Sequence, residues 1–107
     1  MIVDINNKKI EVKECNHFIE RLLGLMLKKE ITVGLCFPRC NCIHTFFMFN
    51  KIDVIMTDKD NNVLYIYNGL KPWRLLLPKK DVYYTYELPI NSINNLKIAD
   101  KIKKLEN

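Results

Sequence analysis

Ile52-Asp53-Val54-Ile55-Met56-Thr57-Asp58, then Lys59-Asp60-Asn61-Asn62, then Val63-Leu64-Tyr65-Ile66-Tyr67, is the clearest hairpin of the chain. β-Branched and aromatic residues dominate both arms, and the four polar residues between them suit a reversal of direction. Further β-rich runs lie on either side. Val33-Gly34-Leu35-Cys36-Phe37 reads as a short strand ended by Pro38, which lacks the N–H a central ladder uses. Ile2-Val3-Asp4-Ile5 and Ile10-Glu11-Val12 flank the turn Asn6-Asn7-Lys8-Lys9 and predict a second hairpin. After the central hairpin, Leu70 to Pro78 is bracketed by prolines and reads as a loop or edge segment. Val82 to Leu88 is another strand. From Ile90 a turn or short helix carrying Leu96 and Ile98 precedes a closing extension, Lys101-Ile102-Lys103.

One segment carries a helical period. Phe18, Ile19, Leu22, Leu23, Leu25 and Met26 form an apolar stripe at three-and-four spacing. Asn16 is placed to cap it, Glu20 favours its start, and Lys28-Lys29 favour its end. Gly24 costs about 1 kcal/mol against alanine inside a helix, and marks an early stop or a close contact. The expected fold is therefore α+β: a mostly antiparallel, partly closed barrel-like sheet with one main helix, near residues 17–27, packed against it through Leu22, Leu25 and Met26. The 107 residues suit a single domain, 1–107.

Composition removes several function classes. The chain is 49% hydrophobic and 27% charged, as an ordinary globule is. Three glycines, with no GxGxxG or GxxxxGK pattern, leave no phosphate-cradling loop. The net charge of +5 is spread over lysine pairs at Lys8-Lys9, Lys28-Lys29 and Lys79-Lys80 and over the tail. Arginine, which reads base edges, occurs only as Arg21, Arg39 and Arg74, so nucleic acid is not the expected partner. The apolar stretches are too short for a bilayer span, and Met1-Ile2-Val3-Asp4 does not open a secretory signal. Cytoplasm is the expected location, with reduced thiols, no disulfide and no membrane partner.

Several segments together resemble the DUF192 family, a widespread group of uncharacterised bacterial and archaeal proteins. They are Glu20-Arg21-Leu22-Leu23-Gly24-Leu25-Met26, Ile43-His44-Thr45-Phe46-Phe47-Met48, Ile52-Asp53-Val54-Ile55 with Asp58, Leu70-Lys71-Pro72-Trp73, Glu87-Leu88-Pro89 and Leu96 to Asp100. The resemblance covers most of the chain and implies a compact, mainly β domain with one prominent helix. It also implies that Arg21, Gly24, Met48, Asp53, Trp73, Glu87 and Asp100 stand at characteristic positions, with Arg21, Gly24, Met48 and Asp100 structural. The family often has glycine after Glu-Leu-Pro, where this chain has Ile90-Asn91, and favours Gly-Asp where it has Ala99-Asp100. A backbone position needing positive φ suits Ile90 or Ala99 poorly. No established reaction comes with the resemblance.

The segment Cys40-Asn41-Cys42-Ile43-His44 concentrates the reactive side chains. If it is extended, Cys40, Cys42 and His44 share a face. With Cys36 they compose a Cys₃His zinc set, but four ligands within nine residues lack the usual well-separated pairs, so no metal and no cofactor is expected. His44 as base, Cys40 or Cys42 as nucleophile and Asp53 as orienting group is the enzymatic alternative. Asp53 has a plainer reading, paired with Arg21 or Arg74 or accepting backbone N–H groups, and Glu87 has the same. A ligand surface built from His44, Asp53, Trp73, Arg74 and Glu87 would take a small ligand or a protein segment. The reading that follows is a small binding or accessory module, with a small enzyme or a zinc knuckle as alternatives.

Overall fold

The computed structural model describes residues 1–17, 24–93 and 95–105. β1 (Ile2–Ile5) and β2 (Lys8–Glu14) form the first hairpin, with Ile5 opposite Lys8. Asn6 and Asn7 turn it at φ 52° and 74°, a left-handed pair that asparagine tolerates, and Asp4 Oδ1 accepts the Asn7 N–H at 2.7 Å. β5 (Ile52–Thr57) and β6 (Val63–Leu70) form the central hairpin. Asp58 closes its turn, accepting from the backbone N–H groups of Asp60 and Asn62 and from the Asn62 side chain.

β3 (Gly34–Pro38), β8 (Tyr84–Leu88) and β9 (Lys103–Leu105) complete a seven-stranded sheet in the order β6-β5-β8-β3-β2-β1-β9. Every pairing is antiparallel except β2 with β3. β4 (Ile43–His44) and β7 (Leu75–Leu76) form a separate two-stranded ribbon. The central strands β3 and β5 are buried along their whole length, because the sheet carries an apolar layer on each face. One layer holds Val3, Ile5, Val12, Cys36, Ile55, Tyr86, Leu88 and Ile102. The other holds Leu25, Leu35, Phe37, Met48, Ile52, Val54 and Met56, with Ile43 and Leu76 of the ribbon packed on it.

The sheet curls until its ends meet at one point. Asn62 bridges to Lys101, Val63 N–H donates to the Asp100 carbonyl at 2.8 Å, and Ile102 N–H donates to the Asn61 carbonyl at 3.0 Å. The result is an open half-barrel with one stitched corner, which leaves fewer free edges than a flat sheet would.

The α+β expectation is overturned: the described residues form an all-β fold and include no helix. Positions 18–23 of the expected helix lie outside the described residues. Gly24–Leu27 forms a turn, and Gly24 and Leu27 stand at φ 47° and 61°, values that cannot continue a right-handed helix. Leu25 still reaches the sheet and is buried against it, from a turn and not from a helix.

Candidate functional site

Alternation along β8 separates its side chains. Tyr86 and Leu88 enter the first apolar layer, and Glu87 points the other way, beside Leu35 and Val54 of the neighbouring strands. There it meets a cavity of about 370 Å³ between the sheet and the β4–β7 ribbon. Leu25, Met26, Phe37, Met48 and Leu75 give it apolar walls. Arg39, Cys40, Asn41, Cys42 and His44 supply the remaining polar lining.

Glu87 is 3% exposed, and its Oε1 has no hydrogen-bond partner among the described residues. Burial pushes its carboxyl up to about 8, so the acid holds its proton at neutral pH. Most buried polar atoms are paired, which makes this oxygen an exception that calls for an explanation.

The segment above the cavity is pinned at both ends. Cys40 N–H donates to the Tyr83 carbonyl at 2.9 Å, and Thr85 Oγ1 donates to the Cys40 carbonyl at 2.8 Å. Thr45, 1% exposed, ties the other end to residues 71–74. Its N–H donates to the Arg74 carbonyl, its carbonyl accepts from Trp73 N–H, its Oγ1 accepts from Arg74 N–H, and its hydroxyl donates to the Lys71 carbonyl. Thr45 was not singled out in the sequence, since a lone threonine between His44 and Phe46 has no distinguishing pattern.

His44 Nδ1 accepts the Phe46 N–H at 3.1 Å, so a neutral ring carries its proton on Nε2. Cys40 Sγ donates to the Cys42 carbonyl at 3.1 Å. Both groups are thus engaged locally and not with each other. The His44 ring stacks on Phe46 and Phe46 on Trp73, and Phe47 meets Trp73 tilted at 59° with centroids 4.7 Å apart, forming an aromatic row that leads out from the cavity. Phe47 and Trp73 are more than half exposed and sit at φ 62° and 64°, a conformation that bulky residues rarely adopt. Arg74 joins this region through its backbone, while its Nη1 reaches the Pro72 carbonyl at 3.5 Å.

Asp53 stands apart. It is fully buried on the face opposite Glu87, in register with Leu88. Its Oδ1 accepts from Gly69 N–H at 2.9 Å, and its Oδ2 accepts from Ser92 N–H at 2.9 Å and Ile93 N–H at 3.3 Å. The register shifts beside Asp53 where β5 meets β6, and the carboxylate takes up the N–H of Gly69 there. Backbone amides, and not Arg74, are its partners here, and it lines no wall of the Glu87 cavity. Asp100 is likewise a turn residue, its Oδ2 accepting Lys97 N–H at 2.9 Å. Gly24 and Met48 line the cavity, and Arg21 lies outside the described residues.

Among the described residues no group of three or more His, Cys, Asp or Glu side chains could hold a metal ion. Cys36 packs in the first apolar layer, away from Cys40, Cys42 and His44, and burial pushes its thiol up to about 12. No disulfide joins any of the four cysteines. No helix among the described residues is long and apolar enough to cross a membrane.

The family model for DUF192, described as an uncharacterized ACR, matches residues 1–103. The chain belongs to the DUF192 family. Archaeal members called UPF0127 proteins are similar to this DUF192 chain. One from Pyrococcus horikoshii is 40% identical over 100 residues, covering 87% of this chain and 86% of the relative. One from Thermococcus kodakarensis is 38% identical over 96 residues, covering 84% of this chain; the match spans only 60% of that longer relative. Two crystal structures share the fold. A protein of unknown function from Novosphingobium aromaticivorans superposes with TM-score 0.79 at 18% identity, over 96% of this chain and 82% of the other. A protein described as a candidate transcription regulator from Sinorhizobium meliloti superposes with TM-score 0.80 at 14% identity, over 95% and 89%. At such identities the likeness of this DUF192 chain to both is one of fold alone.

Proposed function

We propose that this DUF192 chain, as a single domain over 1–107, is a small binding module. Its ligand occupies the cavity between the sheet and the β4–β7 ribbon. The observation that carries the reading is Glu87, a buried carboxyl on the wall of a mainly apolar cavity, whose Oε1 has no hydrogen-bond partner among the described residues. Small-molecule sites combine apolar walls with a few directed polar groups, and perturbed carboxyls gather at such places. His44, Cys40 and Cys42 contribute to the wall, while Trp73 and Arg74 flank the approach through the aromatic row and Thr45. Asp53 is read as a structural anchor. The exposed thiol of Cys42 fits a reducing compartment, which supports a cytoplasmic location.

The enzymatic alternative draws less support, because a nucleophile and its base must lie within hydrogen-bond reach. Here the Cys40 thiol and His44 Nδ1 each serve a backbone group. A screen of small apolar fragments against isotope-labelled protein tests the binding reading. Shifts are expected at Cys40 to His44, Met48, Leu75 and Glu87. Shifts confined to other surfaces, or none at all, would remove the cavity as the site.

A further inference from the structure

Resting on that cavity reading, we infer that the ligand is a primary amine on an apolar body, with its ammonium group seated against Glu87. Among the described residues, Glu87 is the one buried residue with an ionisable side chain on the cavity wall; the other buried lining residues are Leu25, Phe37 and Met48. The buried part of the described lining therefore offers hydrocarbon contact and one carboxyl, whose Oε1 lacks a donor among the described residues. An ammonium group supplies up to three N–H donors and the charge that a buried carboxylate lacks. A neutral alcohol supplies one donor and no charge. A ligand carboxylate brings acceptors and no donor, so it cannot supply the one that Oε1 lacks. Arg39 lines the same cavity from an exposed position, which disfavours a second positive charge at the outer end of the ligand.

Proton balance makes the inference measurable. The vacant site holds Glu87 protonated at neutral pH, and the free amine is an ammonium ion in water. On binding, the Glu87 O–H gives its proton to the buffer, and ammonium N–H···O bonds form to the carboxylate. One proton is released for each amine bound, and no other bond changes. Arg39, Cys40, Cys42 and His44 are the other titratable or charged groups on the cavity wall among the described residues. Leu35 and Val54, beside Glu87 on the adjoining strands, do not titrate.

Hexylamine, hexan-1-ol and hexanoate are titrated into the intact protein by calorimetry, in two buffers of different ionisation enthalpy, with labelled spectra locating each ligand. Hexylamine is expected to bind about tenfold or more tightly than the alcohol, and hexanoate least. Release of about one proton at pH 7 is expected, falling toward zero at about pH 9. Glu87→Gln should keep the alcohol in the cavity and lose the preference for the amine. Alcohol and amine bound there equally, or amine bound without proton release, would overturn the amine assignment and leave the cavity reading standing. A preference that survives in Glu87→Gln would overturn it as well. Failure of all three ligands to reach the cavity would overturn both. Proton release is measured on the unaltered protein, so the test does not depend on the variant folding.

Discussion

Glu87 and Ala99 are single residues at which the chain gives up stability. Unfolded, the Glu87 carboxyl ionises near the ordinary ~4.3; folded, burial pushes it up to about 8. Between those values the native state binds one more proton than the unfolded state, so stability falls as pH rises. The slope approaches ~1.4 kcal/mol per pH unit, and the loss levels off above about pH 8. Glu87→Gln cannot ionise. Its stability relative to the natural chain should therefore climb between about pH 5 and about pH 8 in urea titrations, then plateau. Parallel curves for the two proteins would show that the carboxyl is not desolvated. Ala99 is exposed at φ 77°, a left-handed value that favours glycine, and Asn91 rather than Ile90 takes the positive φ after Glu-Leu-Pro. Ala99→Gly should raise stability by about 1 kcal/mol, because it relieves the left-handed backbone without removing buried surface. An unchanged or lower melting temperature would contradict this.

At the scale of elements, β5 and β8 are held together by more than their ladder. Asp53 on β5 gathers Gly69 at the end of β6 and Ser92 and Ile93 beyond β8. Three inward-facing N–H groups depend on one acceptor-only carboxylate. Asp53→Asn presents an NH₂ group to at least one of them, and should cost about 2–4 kcal/mol in chemical denaturation. A loss below ~0.5 kcal/mol, the range of neutral surface changes, would mean that the anchor is dispensable. Packing between strands is equally tight at Gly34, where an added Cβ would stand 2.7 Å from Leu88 Cδ2 and 3.2 Å from the Glu87 carbonyl. Leu88 is fully buried and has little room to move aside, which explains a glycine in a strand that is otherwise apolar.

Over the whole molecule, the half-barrel depends on a contact between the two ends of its sheet. Ile102 is 1% exposed in the first apolar layer, and its backbone is bonded to Asn61 at the far end of the strand order. Ile102→Ala should lower stability by about 2–4 kcal/mol through the cavity it leaves. It should also speed hydrogen exchange at Val63 N–H, whose acceptor is the Asp100 carbonyl. Exchange at Val63 that keeps its protection in the variant would show that the corner is held by other contacts.

The two hairpins and the β-rich run at Val82 to Leu88 were legible because alternation and turn chemistry act over a few residues. Asn6-Asn7 and Asp58 to Asn62 turn the chain by their own side chains and backbone preferences, whatever lies around them. The two-residue strands β4 and β7 are too short for a periodic signal and exist through their pairing. The stripe toward Met26 had the spacing of a helix, yet spacing reports which residues seek burial, and Leu25 reaches burial from a turn. Asp53 and Glu87 were indistinguishable as acids between apolar neighbours. Only the register of β5 against β8 sets them on opposite faces, one among three backbone donors and the other in an apolar cavity. The sequence by itself determined the two hairpins, with the residues that turn them, and the strand that ends at Leu88. The tertiary structure decided which carboxyl is satisfied and which is left unpaired, because desolvation and hydrogen bonding depend on groups brought in from distant parts of the chain.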